Sequence, residues 1–183
     1  MIPLQQKTPY HNPWPLWTHV VLFIWQITWL ICCSWTPKFF NPWRLIVLRI
    51  FGCEITGIPF VHSSAKIKIP WHLTLRHRAC LGEKSNSYNL GKIEVHERAT
   101  ISQEVYLCTG THDFKKKSMQ LITQCIIVRE NAFVGVRAMI LPGVTIGKNA
   151  VVGAQSVITK DLANDEIFAG NPASKIGMRE TSK

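Results

Sequence analysis

From residue 128 to residue 158 every sixth position is aliphatic: Val128, Val134, Ile140, Ile146, Val152 and Ile158. Four places after each stand Ala132, Ala138, Val144, Ala150, Ser156 and Leu162, small at all but the last. The position directly after the aliphatic is glycine at Gly135, Gly147 and Gly153. A period of six fits neither an α-helix nor a coiled coil. Short strands do fit it. Side chains alternate faces along a strand, so the small residue and the aliphatic two places later point the same way. The residue after the aliphatic takes the corner, where glycine tolerates backbone conformations that others resist. Three strands and three corners close a triangular coil of about 18 residues, and stacked coils bury the aliphatics as columns while neighbouring backbones hydrogen-bond. The expected fold class is all-β, a parallel β-helix.

Upstream the repeat persists in worn form. Val95, Ile101 and Leu107 keep the spacing, with Ala99, Val105 and Thr111 at the small position. Leu75 and Leu81 continue it, and Val61 and Ile67 begin it. Slips of two residues near Pro70-Trp71 and Asn89-Leu90-Gly91 read as corner bulges. A larger break follows. Val95 and Val128 open successive coils yet lie 33 residues apart, so about fifteen residues loop out between Leu107 and Val128. In a regular scaffold, a single such loop is where function is expected. The chain therefore divides into an N-terminal segment, 1–54, and a repeat domain, 55–183, with an excursion at about 108–127 and a C-terminal tail.

Leu16 to Trp35 carry no Asp, Glu, Lys or Arg. Only Lys7 precedes this run as a cation and no small-residue cleavage site follows it, which argues against a signal peptide. Trp17, Val20, Ile24, Ile27 and Ile31 recur at three- and four-residue steps and share one helical face, and a second apolar run follows from Pro42 to Phe51. Six of the seven tryptophans lie between Trp14 and Trp43, and tryptophan favours membrane interfaces. The expectation is a helical pair through residues 14–51 lying on a membrane or on the β-helix edge; a transmembrane span and a buried packing helix are the alternatives.

Net charge is +10, from 21 Lys and Arg against 11 Asp and Glu. That balance favours anionic partners. No aromatic-interleaved basic stripe or nucleic-acid-binding motif accompanies it, so no nucleic-acid partner is expected. The six cysteines show no C-x-x-C spacing, and Cys32 and Cys33 are adjacent; reduced thiols in a cytoplasmic protein are the simpler reading.

The excursion opens Leu107-Cys108-Thr109-Gly110-Thr111-His112-Asp113-Phe114. With Ile101-Ser102-Gln103, Leu121-Ile122-Thr123, Leu141-Pro142-Gly143-Val144-Thr145-Ile146-Gly147, the stretch Val151 to Asp161 and Ala169-Gly170-Asn171-Pro172-Ala173, it resembles the hexapeptide-repeat O-acetyltransferases of the colanic-acid-biosynthesis type, relatives of the galactoside and maltose acetyltransferases. The resemblance covers roughly residues 42–178. It implies a left-handed β-helix, a homotrimer with active sites between subunits, acetyl-CoA as acyl donor, and a sugar or lipid-linked saccharide as acceptor.

The family's catalytic histidine maps onto His112. An alcohol is a poor nucleophile at neutral pH, and an imidazole can take its proton as the oxygen attacks a thioester. Donor positions carried over by the resemblance are Phe133, Val136, Ala154, Thr159 and Lys160; acceptor positions are Asn89, Glu83 and Asp113. Where the family often has a basic residue after the Asn-Pro-Ala block, this chain has Ser174 and then Lys175.

His11, His19, His62 and His96 show no such context. His72 and His77 are five apart, but no third histidine completes a ligand set, so no metal is expected. Lys115-Lys116-Lys117 reads as a solvated loop, with attraction of phosphates as the other possibility. The sequence thus points to O-acetylation of a sugar hydroxyl in exopolysaccharide or lipid-linked oligosaccharide synthesis, in the cytoplasm, peripheral at the inner face of the plasma membrane. The alternatives are an idle β-helix scaffold or a xenobiotic or serine acetyltransferase of the same fold.

Overall fold

A computed structural model describes residues 14–180; Lys7 and His11 lie outside them. From Glu54 onward the chain forms a left-handed parallel β-helix of three faces. Face I stacks Glu54–Ile55, Leu73–Leu75, Ile93–Val95, Ile126–Val128 and Thr145–Ile146. Face II stacks Phe60–Val61, Cys80–Leu81, Thr100–Ile101, Phe133–Val134, Val151–Val152 and Glu166–Gly170. Face III stacks Lys66–Ile67, Asn86–Tyr88, Tyr106–Cys108, Met139–Ile140 and Val157–Ile158. The predicted columns are the core: Val61, Leu81, Ile101, Val134 and Val152 stack without exposure along face II, and Ala79, Ala99, Ala132 and Ala150 fill the adjoining corner.

The corners correct the reason given for their glycines. The left-handed backbone position is taken by polar residues, among them Arg78, Lys84, Arg98, Glu104, Asn131, Arg137, Asn149 and Gln155, with φ between 53° and 59°. Each stands just before the small residue and is the third residue of a turn closed by bonds such as Ala99 N to His96 O and Ala150 N to Gly147 O, where type II geometry requires positive φ. Gly143, at φ +86°, holds that place after Leu141-Pro142. The glycine after the aliphatic serves close approach instead. A Cβ on Gly147 would lie 2.5 Å from the carbonyl carbon of Ala163 in the next coil.

Coil lengths match the spacing. Ile55, Leu75 and Val95 are register partners 20 residues apart, whereas Val128 and Ile146 are 18 apart. Both two-residue slips fall on the edge between faces III and I, one as the 3-10 turn Pro70–His72. Asn89 makes the two irregular corners stack. Its Oδ1 accepts from Ile69 N at 2.9 Å and its Nδ2 donates to Ile69 O at 2.6 Å.

Two helices, α1 (Leu16–Cys32) and α2 (Asn41–Ile50), cover the open lower end. The first coil has no preceding coil to receive its backbone groups, and side chains take them instead. Asn41 Nδ2 donates to Pro59 O and Asn41 Oδ1 accepts from Val61 N. Arg44, almost fully buried, donates from Nε to Val61 O and from Nη1 to Thr36 Oγ1 and Pro37 O. Trp25 Nε1 donates to Ile67 O. The face of α1 that docks is therefore Trp25 and Trp29, with Cys33 just past its end, while the stripe Trp17, Val20, Ile24, Ile27 and Ile31 points outward and is exposed. No described helix is long and apolar enough to cross a membrane.

The repeat also runs further than its sequence pattern. Phe168 stacks above Val152, and Ala173–Met178 returns antiparallel to close the upper end, with Arg179 donating to Asn131 O and Asn149 O. All six cysteines are free thiols, and burial pushes Cys33 up to about 11 and Cys53 up to about 12, so both stay protonated. The corner geometry makes a stability prediction. Gly147→Ala should destabilise the fold by about 1–3 kcal/mol through overpacking. Gly177→Ala, where a Cβ would meet nothing within 4 Å, should stay within about 0.5 kcal/mol. Equal shifts of the two thermal midpoints would refute the close-approach account.

Candidate active site

The excursion is a β-hairpin on the III–I edge. Gly110–His112 pairs antiparallel with Leu121–Thr123, in the register Gly110 to Thr123 and His112 to Leu121. Its base is bolted down by Thr109, which is buried. Thr109 Oγ1 donates to Tyr88 O at 2.9 Å and accepts from Gly91 N at 2.8 Å, while Gln124 N donates to Thr109 O. A polar side chain at this corner thus reinforces the coil-to-coil ladder, whose bond from Thr109 N to Tyr88 O persists at 3.2 Å, where the chain departs from it. Gly110 is needed for room, since a Cβ there would sit 2.9 Å from Leu90 Cδ1.

His112 ends the first hairpin strand, and its side chain is held by the second arm. Nδ1 lies 2.7 Å from Met119 O. A carbonyl only accepts, so Nδ1 carries the proton and Nε2 is left with its lone pair. The geometry selects the tautomer a general base requires. Beyond it the loop is tied by Asp113 N to Gln120 O at 2.8 Å and Phe114 N to His112 O at 3.0 Å. Asp113 Oδ1 accepts from Lys115 N, and its other oxygen lies 3.5 Å from Lys116 Nζ. Asp113 therefore stabilises the loop that presents His112, and one of the three lysines is paired to it.

His112 borders a cleft of about 290 Å³. Trp14, His19 and Leu22 form its helical wall; Lys68, Ile69, Tyr88 and Leu90 form the β-helix wall; Leu121 stands beside His112. Most of these residues escaped the sequence reading. Tyr88 and Lys68 point outward from face III and its edge, which period-six spacing allows to be seen, but their proximity to His112 depends on where α1 docks, and nothing in the spacing encodes that.

The other expected site residues are dispersed. Asn89 is fully buried with both amide atoms on Ile69, which accounts for it structurally. Glu83 is exposed on the II–III edge beside Lys84, on a different edge from the hairpin. Thr159 and Lys160 lie on the hairpin's own edge, two coils further along. Phe133 is on face II, and Val136 and Ala154 are neighbours on the II–III edge, where Gln155 N donates to Val136 O. Phe133, Val136, Ala154, Thr159 and Lys160 are all exposed. Lys160 Nζ lies 5.7 Å from the Phe168 ring centroid, and Lys175 pairs with Glu166 at 3.0 Å. Asn171-Pro172 forms the turn between the two last strands.

Among the described residues one group, His96, Glu97 and Glu130, brings possible metal-ligand atoms within 4.8 Å of one another. It sits on the I–II edge rather than at the hairpin, and the His96 ring nitrogens already face Glu130 at 3.1 Å and Glu94 at 3.4 Å. His72 is turned to Asn89 O and His77 to Ile58 N, so the two do not form a pair.

Residues 125–160 match the family model described as bacterial transferase hexapeptide (six repeats). The colanic acid biosynthesis acetyltransferase WcaF of Escherichia coli K12 is 36% identical over 157 residues, 84% of this chain and 86% of that protein. A galactoside O-acetyltransferase of Lactococcus lactis is 34% identical over 84 residues, 44% of this chain and 40% of the relative. Among solved structures, a hexapeptide-repeat acetyltransferase of Vibrio cholerae complexed with acetyl coenzyme A superposes with a TM-score of 0.82 at 16% identity, covering 93% of each chain. A maltose O-acetyltransferase of Clostridium difficile 630 gives 0.71 at 21% identity, covering 90% and 86%. These two structures share the fold. The hairpin geometry makes its own prediction: nitrogen-15 spectra of the neutral His112 ring should show Nδ1 protonated and Nε2 bare, and the reverse tautomer would contradict the Met119 contact.

Proposed function

The chain belongs to the hexapeptide-repeat acetyltransferases, and on that premise we propose that it moves an acetyl group from acetyl-CoA to a sugar hydroxyl. The observation that carries the reading is His112 with Nδ1 fixed on Met119 O. With its proton on Nδ1, the ring offers Nε2 as base. As Nε2 takes the hydroxyl proton, the oxygen attacks the thioester carbonyl; the tetrahedral adduct then collapses, the C–S bond breaks, and the proton on Nε2 passes to the departing thiolate. Because the base is prepositioned by the hairpin, the remaining requirement is to hold both substrates in line.

The donor residues favour assembly. Thr159 and Lys160 follow the hairpin's edge, where Lys160 offers a cation to a phosphate, but Phe133, Val136 and Ala154 face another side of the prism. A homotrimer in which one chain's II–III edge meets the next chain's hairpin unites both sets at an intersubunit site. The likeness to the colanic acid relative supports an exopolysaccharide or lipid-linked oligosaccharide acceptor.

The helices favour a membrane-surface location. Leu16, Trp17, Phe23, Ile24, Leu30 and Ile31 of α1 are exposed together with Trp35, Phe39 and Trp43, and no acidic residue precedes Glu54. So large an apolar face beside unopposed cations suits an anionic lipid surface, with the enzyme peripheral on its cytoplasmic side.

Two experiments test these readings. With acetyl-CoA and a panel of mono- and oligosaccharides, thiol release should fall by about 10²–10⁴-fold in His112→Ala at unchanged circular dichroism; equal turnover would leave only a scaffold role. In flotation with vesicles of phosphatidylcholine and phosphatidylglycerol, the wild type should rise with the lipid and the doubly substituted Ile24→Asp, Ile31→Asp chain should not. Equal partitioning would sink the membrane reading.

A further inference from the structure

α1 is pinned to face III by Trp25 Nε1 on Ile67 O, and space opens on both sides of that contact. On one side is the His112 cleft. On the other is a groove of about 580 Å³ between Trp29, Leu30 and Ser34 of the helical segment and Lys66, Lys68 and Asn86 of the β-helix. Lys68 and Tyr88 wall both spaces, so the groove and the cleft adjoin at these two side chains. From the acetyl-transfer reading of His112, on which this step rests, we propose that the joined groove is the acceptor site and that it takes an anionic amphiphile: a saccharide joined through phosphate to an apolar chain.

The wall is ordered to suit such a molecule. Lys66 and Lys68 are two apart on one strand and its continuation, where alternation sends both side chains outward. Among the described residues no ion pair to either occurs and no carboxylate lines either space. Two uncompensated ammonium groups side by side repel each other and favour a phosphate between them. Between these lysines and His112 stands Tyr88, stacked on Tyr106 at 6.1 Å with 24° between the rings. This pair offers an aromatic platform to the C–H face of a sugar, in the cleft that Tyr88 shares with His112. At the opposite end Leu30 lines the groove and is 65% exposed on the outer face of α1. An apolar chain leaving the groove there passes between Gln26 and Ser34 onto the apolar outer surface that Leu30 belongs to. The volume lies within the roughly 300–1,000 Å³ of small-molecule sites.

Farnesyl phosphate, below its micellar concentration, is a suitable probe, with calorimetric binding to the full chain as the readout. It should bind at least about tenfold more tightly than either farnesol or inorganic phosphate, since each lacks one half of the recognition. The doubly substituted Lys66→Gln, Lys68→Gln chain should lose about tenfold in affinity with its circular dichroism unchanged. The outer-face Ile24→Asp, Ile31→Asp chain should bind the probe as the wild type does. His112→Ala should too, so a failed groove and a failed base are told apart: the first appears in binding, the second in thiol release. No binding of farnesyl phosphate, equal binding of inorganic phosphate, or affinity lost in the outer-face variant but kept in the lysine variant would overturn the proposal.

Discussion

The ladder of backbone hydrogen bonds between successive coils is the constraint on which the rest of this molecule depends. Each two-residue strand can satisfy its N–H and C=O groups only if the next coil lies directly above it. That demand sets the six-residue period, keeps Gly147 free of a Cβ, and places polar residues such as Asn149 in the left-handed turn position. It also dictates what happens wherever the ladder stops. At the lower end Asn41, Arg44 and Trp25 take the groups of the first coil. At the III–I edge, Asn89 and Thr109 take them where the chain slips or leaves.

The III–I edge thereby becomes the irregular side of an otherwise regular prism. The turn Pro70–His72, the bulge held by Asn89 and the hairpin of His112 follow one another along it. Regular coils present flat walls and small corners, which offer no concavity. Stacking three departures on a single edge, with α1 laid alongside, produces the cleft. The concave surface of this chain beside His112 thus lies where the repeat tolerates error.

Much of this was legible in the sequence, because a buried column of aliphatics cannot lose its period without losing its core. The slips and the excursion were visible as interruptions of that column, and His112 stood at the mouth of the largest. The physical role of the corner glycines was not legible: conformational freedom and lack of bulk both select glycine, and only the neighbouring coil distinguishes them. The N-terminal stripe of Trp17, Val20, Ile24, Ile27 and Ile31 was recognisable as a face, but not as the outward one, since Trp25 and Trp29 are equally apolar and it is the indole N–H of Trp25 that finds Ile67 O. The final coil was hidden because Glu166 stands where the repeat elsewhere has a small residue, and Phe168 where it has an aliphatic. Asn89 and Glu83 were grouped by resemblance alone, and the fold sets them on different edges.

The cap built from Arg44 and Asn41 has a consequence for assembly. A solenoid end is a row of unpaired strand edges, and such a row can recruit another chain of the same kind and go on doing so. Here the guanidinium and amide occupy those edges with short-range, non-repeating partners, so polymerisation in the direction of the first coil has no template to start from. The helices that carry the apolar outer face are also the stopper that keeps a repetitive fold finite.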